Sequence, residues 1–368
     1  MSELTAHADA YGYLDRLLHR VAFAHPRLQR LLGEIEDDLF KRSLANVRVE
    51  RPVFVTGLPR AGTTLLLELL YGSGELASFT YRQMPFVLNP LLWHRLSARA
   101  QRAGHARERA HGDAVLIDHD SPEAFEEVLW LNHLADTLFV DGGMRPLDAR
   151  ALGAEFRRAY RRLAEKLVCL AATRTGEAAA PPPRYLSKNN ANLARLPAIA
   201  SVFGDATFLV CFRDPAAHVA SLHAQHLRFL AMHDEDPFAA RYMAWIGHHD
   251  FGRNFRPILF DAPIETPPTE PLFWLRYWID AYRHALAHAP PRTRFVRFET
   301  LLEDGADELG RLAGVCGLGE RGSAALLAGA SRLRSPGSVA APLARLSPDL
   351  AAEAEGLYGV LRARSEGG

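Results

Sequence analysis

Lysine is the residue this chain most lacks: of 43 basic side chains in 368 residues, only Lys41, Lys166 and Lys188 are lysines. In a composition so rich in Ala and Arg, a surviving lysine invites a reason. Lys41 and Lys166 fit solvated helix faces, whereas Lys188 closes a strand-like run. An excess of charge is missing too, because 43 basic and 43 acidic residues cancel. That excludes a general binder of nucleic acid or of an anionic membrane, either of which would carry a basic surplus. Cysteine is scarce, and Cys169, Cys211 and Cys316 are far apart in apolar surroundings. Neither a disulfide framework nor a metal site is expected, and a reducing compartment is. No apolar run is long and charge-free enough to span a bilayer, and residues 1–10 lack the apolar core of a leader. The expected setting is therefore the cytoplasm. Apolar residues make up 48% of the chain, ample for one large α/β domain or two small ones.

The stretch from Val53 to Leu67 is the most informative part of what is present. It reads as a buried strand, a glycine-bounded loop and the first turn of a helix, an arrangement that turns backbone N–H groups into a cradle for phosphate. Gly57, four residues and Gly62 follow the P-loop frame, but Thr63 stands where a nucleoside triphosphatase has Lys, and Thr64 where it has Ser or Thr. The positive charge lies inside the loop, at Arg60. A phosphate-like ligand is expected, and a nucleoside triphosphate is disfavoured.

Apolar spacing over residues 10–45 predicts a helical N-terminal extension, assigned to 1–50. The helix after the loop should run from Thr63 to about Tyr71 and stop at Gly72 or Gly74. Residues 78–99 are rich in aromatics and proline and could shape a pocket or simply pack. A helix is expected over 122–135, with Ser121 as cap and Pro122 in its first turn, and a long one from Asp148 to Ala172. Strand signals recur at 184–187, 207–212 and 294–298, each followed by a helical pattern. Alternating strands and helices predict an α/β fold, a parallel sheet with helices on both faces, whose ligands bind beyond the carboxyl ends of the strands. The proline-rich stretch of about 232–270 reads as a lid-like insertion in a domain of 51–345. Residues 346–368 form a C-terminal helix and tail, with 365–368 expected to be disordered.

A second anion site is expected after the strand 207–212. Arg213 at the strand end, and Ser221 one or two turns into the helix begun by Asp214-Pro215, can converge on one phosphate. Two anion sites imply a ligand with two separated anionic groups. With these motifs, and with the weaker Arg297-Phe298-Glu299-Thr300 segment, the chain resembles a sulfotransferase of the family that uses 3′-phosphoadenosine 5′-phosphosulfate, across roughly residues 52–320. The resemblance implies a P-loop-NTPase-like sulfotransferase fold and transfer of a sulfuryl group to a hydroxyl or amine of a small-molecule or glycan acceptor, without a metal. It also implies that Arg60, Ala61, Gly62, Thr63 and Thr64 hold the 5′-phosphosulfate, Arg213 and Ser221 the 3′-phosphate, and that Lys188 acts at the sulfuryl group. Of the tail residues that loosely match a further 3′-phosphate contact, Arg334 is the one expected to contribute.

The base is harder to place. Where many cytosolic members carry a histidine, two positions after the lysine, this chain has Asn190, and an amide cannot accept the proton. The candidates are Glu123, Glu126 and Glu127, of which Glu127 is preferred. It is expected to share a helix face with Glu123 and, half-buried beside Trp130, to have its pKa raised. Acids that merely complement a helix dipole are an equal reading, and His119 is a further candidate. His218, His223 and His226 read as hydrogen-bonded or surface histidines, His248-His249-Asp250 as loop residues of the insertion, and the aromatics from Phe273 to Tyr282 as core. The rival functions are a P-loop kinase or NTPase, which predicts a lysine after Gly62, and a non-catalytic nucleotide-binding module.

Overall fold

The structure, a computed structural model, describes residues 22–23, 26–97, 107–108, 116–117, 120–175, 183–334 and 340–367. Its centre is a sheet of β1 (Val53–Thr56), β2 (Leu76–Ala77), β3 (Arg184–Lys188), β4 (Thr207–Phe212) and β5 (Thr293–Arg297), all parallel in the order β2-β3-β1-β4-β5. Side chains along a strand point alternately to the two faces, and here each set enters its own core. Phe54, Tyr185, Phe208, Val210 and Phe212 go to one, and Val53, Val55, Leu186, Leu209 and Cys211 to the other.

The helices in chain order are α1 Pro26–Leu39, α2 Lys41–Leu44, α3 Thr63–Tyr71, α4 Pro90–Ser97, α5 Glu127–Leu138, α6 Ala154–Thr175, α7 Leu196–Val202, α8 Pro215–Glu235, α9 Pro237–Trp245, α10 Pro271–His288, α11 Phe298–Glu303, α12 Gly305–Cys316, α13 Glu320–Ala328, α14 Leu343–Leu346 and α15 Pro348–Glu366. Leu66 and Leu70 of α3 and Leu309 and Leu312 of α12 close the second core, while Tyr160 of α6, Leu222 of α8 and Trp278 of α10 close the first. Helices thus cover both faces, as the alternating pattern predicts. Each of these fully buried large side chains contributes roughly 1.5–3 kcal/mol. β1 occupies the middle of the sheet, so the loop that leaves it is framed by β3 and β4.

Several expectations need correction. The helix expected at 122–135 begins at Glu127. Pro122 instead pairs with Thr80 in an antiparallel bridge, and the Glu123 N–H donates to the Phe79 carbonyl at 3.0 Å. These backbone bonds to a distant segment outcompete the local cap, and as a result Glu123 and Glu127 do not share a helix face. Lys166 is not solvated: it is buried in an ion pair with Glu36 of α1 at 2.7 Å, which ties the N-terminal helices to α6. At the other end α15 continues to Glu366 and Ser365 is buried, so the tail is helical further than expected. The segment of 232–270 contains α9 and a 3-10 turn, Gly252–Asn254, and is tethered where Trp274 Nε1 donates to the Pro268 carbonyl at 2.8 Å. Among the described residues no helix is long and apolar enough to cross a membrane.

Candidate active site

The phosphate-type loop is shaped by three residues with left-handed backbone. Gly57 has φ 142° and lies so close to β4 that a Cβ there would collide with the carbonyl oxygen of Cys211. Gly62, with φ 88°, backs onto the Phe298 ring, and a Cβ would sit 2.5 Å from that ring. Arg60 has φ 71°, a conformation costly for a side-chain-bearing residue and held here by its surroundings. The loop then feeds α3, whose first turn presents Thr63 and Thr64 at the positive end of the helix dipole.

β4 and α8 form the second unit. Asp214 caps α8 by accepting from the Ala217 N–H at 2.9 Å, and Pro215 starts the helix. Arg213 is 6% exposed, with its guanidinium 5.1 Å from the centroid of the Phe298 ring, the ring on which Gly62 packs. Burial pushes its pKa down, with Glu299 and Asp214 opposing. Arg60 Nε donates to Ser221 Oγ at 3.2 Å, so the loop cation and the helix hydroxyl touch. His218 joins the same parts from beneath: its Nε2–H donates to the Pro59 carbonyl at 2.8 Å, and its Nδ1 accepts from Trp278 Nε1 at 3.2 Å. Two fixed partners define a neutral imidazole, and burial takes the pKa down to about 3.

The third unit follows β3. Lys188 is buried, beside Val55 in the parallel register, at the carboxyl end of the sheet. The next two residues are fastened to β1: Asn189 N–H donates to the Val55 carbonyl, and Thr56 Oγ1 donates to the Asn189 carbonyl at 2.8 Å. Each asparagine then turns its amide to a carboxylate. Asn189 Nδ2 donates to Glu127 Oε2 at 2.7 Å, and Asn190 Nδ2 to Asp250 Oδ2 at 3.1 Å. Asn190 Oδ1 accepts from Thr63 Oγ1 at 3.2 Å, which links Asp250 to the loop through a single amide. Pro59, Glu127, Asn189, His249, Asp250 and Tyr277 are among the residues that line a cavity of about 30 Å³, room for one water or one hydroxyl group.

Glu127, expected half-buried beside Trp130, is fully buried and paired with a cation. Arg195 Nη1 and Nη2 donate to its two oxygens at 2.6 and 2.8 Å, and the same guanidinium lies 4.5 Å from the centroid of the Trp130 ring. Glu126 is consumed by structure, accepting from Trp130, Tyr185 and Asn192. Glu123 accepts from Tyr81 Oη at 2.6 Å and does not line the cavity. Ala61 is buried with its N–H on the Leu58 carbonyl at 3.3 Å, which keeps the turn tight. Arg334 is exposed next to Leu333, which packs on Gly305, and no described contact brings it to the other site residues. His119 lies outside the described residues.

The structure therefore brings Arg60 to Ser221, sets Gly62 and Arg213 on the same Phe298 ring, and links Thr63 to Asn190, whose neighbour Asn189 holds Glu127. Sequence reasoning underrated Asp250 and His249, and missed Arg195. An isolated acid in a proline-rich segment carries no local signal, although the adjacent His-His-Asp run was visible. Among the described residues no group of His, Cys, Asp and Glu is arranged to hold a metal ion.

Comparison with known proteins bears on these findings. A family model described as "Sulfotransferase family" matches residues 52–250. A crystal structure of a sulfotransferase from Mycobacterium avium is similar at TM-score 0.51 and 16% identity, covering 89% of this chain and 79% of that one. Another sulfotransferase structure, from Mycobacterium tuberculosis H37Rv, aligns at TM-score 0.48 and 16% identity over 88% and 83% of the two chains. No curated protein matches the chain.

Proposed function

We propose that this chain, a transferase that belongs to the sulfotransferase family, takes its sulfuryl group from 3′-phosphoadenosine 5′-phosphosulfate and passes it to a hydroxyl or amine of a small-molecule acceptor. When bound, that donor supplies an activated sulfuryl group on a good leaving group. The backbone N–H groups of residues 62–64 and the Arg60 guanidinium suit its 5′ end, and Arg213 with Ser221 suits its 3′-phosphate. Lys188, at the carboxyl end of the sheet, would neutralise charge developing on the bridging oxygen, the main demand of such an in-line transfer. The cavity lined by Pro59, Glu127 and Asp250 offers a place for the reacting group of the acceptor. Two carboxylates face it, and the acceptor's proton goes to one of them.

The observation that carries this reading is the contact of Arg60 Nε with Ser221 Oγ at 3.2 Å. It brings together two segments separated by more than a hundred residues of sequence, each suited to an anion, with Arg213 across the Phe298 ring from Gly62. Calorimetry with adenosine 3′,5′-bisphosphate and with ATP tests it. Preference for the bisphosphate is expected, with a loss of roughly ten- to a hundredfold in Arg213→Ala, the range for removing a charged hydrogen-bonding partner. Preference for ATP, or indifference to the substitution, refutes it.

A further inference from the structure

We propose that Asp250, not Glu127, is the general base that receives the acceptor's proton, an inference that rests on the sulfuryl-transfer reading. The two carboxylates share one cavity but differ in what they have left to give. Both oxygens of Glu127 are held by the fork of Arg195, and Oε2 also accepts from Asn189. Arg195 is itself 1% exposed, so a proton on Glu127 would strand a buried guanidinium without its counter-charge. Breaking such pairs is strongly unfavourable. Glu127 is thus a structural anion whose charge is already used.

Asp250 is free of that constraint. Among the described contacts its Oδ2 accepts from the neutral amide of Asn190 at 3.1 Å, and no ion pair holds it. A proton arriving there strands no opposite charge. Its placement is also the more direct one, because Asn190 accepts from Thr63 Oγ1 at 3.2 Å, so one amide spans the distance from the first turn of α3 to the carboxylate. Asn190 is in turn seated by its carbonyl on Thr56 Oγ1 at 3.2 Å. Asp250 is therefore fixed relative to the loop, although it comes from a segment nearly two hundred residues downstream. In the transfer step the acceptor O–H bond breaks and its proton goes to the Asp250 carboxylate. The acceptor oxygen forms a bond to sulfur, and the bond from sulfur to the bridging oxygen breaks, its electron pair leaving with adenosine 3′,5′-bisphosphate. No further reactant is needed. The rival acceptor of the proton is His249, which lines the same cavity and whose Nδ1–H donates to the Asn254 carbonyl at 3.1 Å, leaving Nε2 as an acceptor.

Transfer from 3′-phosphoadenosine 5′-phosphosulfate to 4-nitrophenol, followed with the full chain, tests the assignment. Asp250→Asn should lower kcat at least about a hundredfold while the affinity for adenosine 3′,5′-bisphosphate stays within about twofold, and Asp250→Glu should recover part of the loss. A kcat within threefold of wild type in Asp250→Asn, or a loss confined to His249→Gln, overturns it. A second measurement needs no turnover. In the complex with adenosine 3′,5′-bisphosphate, bound 4-nitrophenol should remain protonated to higher pH in the wild type than in Asp250→Asn, since a facing carboxylate opposes the phenolate. An unchanged titration, or no bound phenol, removes Asp250 from the acceptor's side. Tight bisphosphate binding with that negative result leaves the donor reading standing, whereas failure to bind the bisphosphate removes the donor reading itself.

Discussion

Residues 53–64 and 207–221 meet at Arg60 and Ser221 as two strand-loop-helix units, each a continuous stretch of chain. The carboxylates of the proposed acceptor side come instead from positions 127 and 250 and are held by Asn189 and Asn190 of a third segment. The proposed donor side rests largely on backbone set by the local order of residues, positive φ angles, N–H groups and helix ends, to which Arg60, Arg213 and Ser221 add their side chains. The acceptor side is built from side chains meeting across the fold. A site of the first kind can be rigid before anything binds and hard to alter, and a site of the second kind can be re-specified by changing a single distant residue.

The widest gap between the two sides should appear with Gly57→Ala. Its new methyl group would strike the backbone of Cys211, which cannot step aside without parting β1 from β4. A loss on the order of 4 kcal/mol or more, or no folded protein, is expected in denaturant unfolding. Mild behaviour would mean that the donor loop is less rigid than argued.

Next comes Glu127→Gln, which leaves Arg195 buried without its counter-charge. A loss of about 3 kcal/mol is expected, with much of it recovered when Arg195→Met is added. If the double variant is no more stable than the single one, the pair is not what stabilises the acceptor side.

Acidification probes the joint between the sides. The folded-state pKa of His218, about 3, lies below its ordinary 6.5, so between those values the unfolded chain binds the extra proton and the folded chain does not. Stability is whole above pH 6.5 and should fall by about 2 kcal/mol at pH 5 from this group. His226, buried and lowered to about 4, moves the same way. A Tm that is flat from pH 7 to pH 5, or a His218→Gln variant with the wild-type pH dependence, would contradict this.

The smallest effect belongs outside both sides. Arg332 pairs with Glu68 at 2.7 Å but is half exposed, so Arg332→Ala should cost less than about 1 kcal/mol and leave bisphosphate affinity unchanged. A large drop in that affinity would extend the donor side into the tail.

Much of the sheet was legible because its signals are local. β4 falls where the apolar run at 207–212 predicts it, and α3 starts at Thr63 and ends at Tyr71 as the two flanking glycines suggest. The helix start at Glu127 was not legible, since Ser121-Pro122 is a good cap whose claim is overridden by backbone bonds to Phe79 and Thr80. Lys166 was misread for a similar reason: an isolated lysine on a helix looks solvated until a distant glutamate is laid over it.

From the order of its residues alone, this chain determined a parallel α/β sheet and a loop with Arg60 and flanking glycines placed to meet an anion, because turns, caps and alternation act over a few neighbours. Only the tertiary structure decided which acids would be paired with a buried cation and which would not. Whether a carboxylate is neutralised, as Glu127 is by Arg195, or held by a neutral amide, as Asp250 is by Asn190, depends on partners that no local pattern brings together.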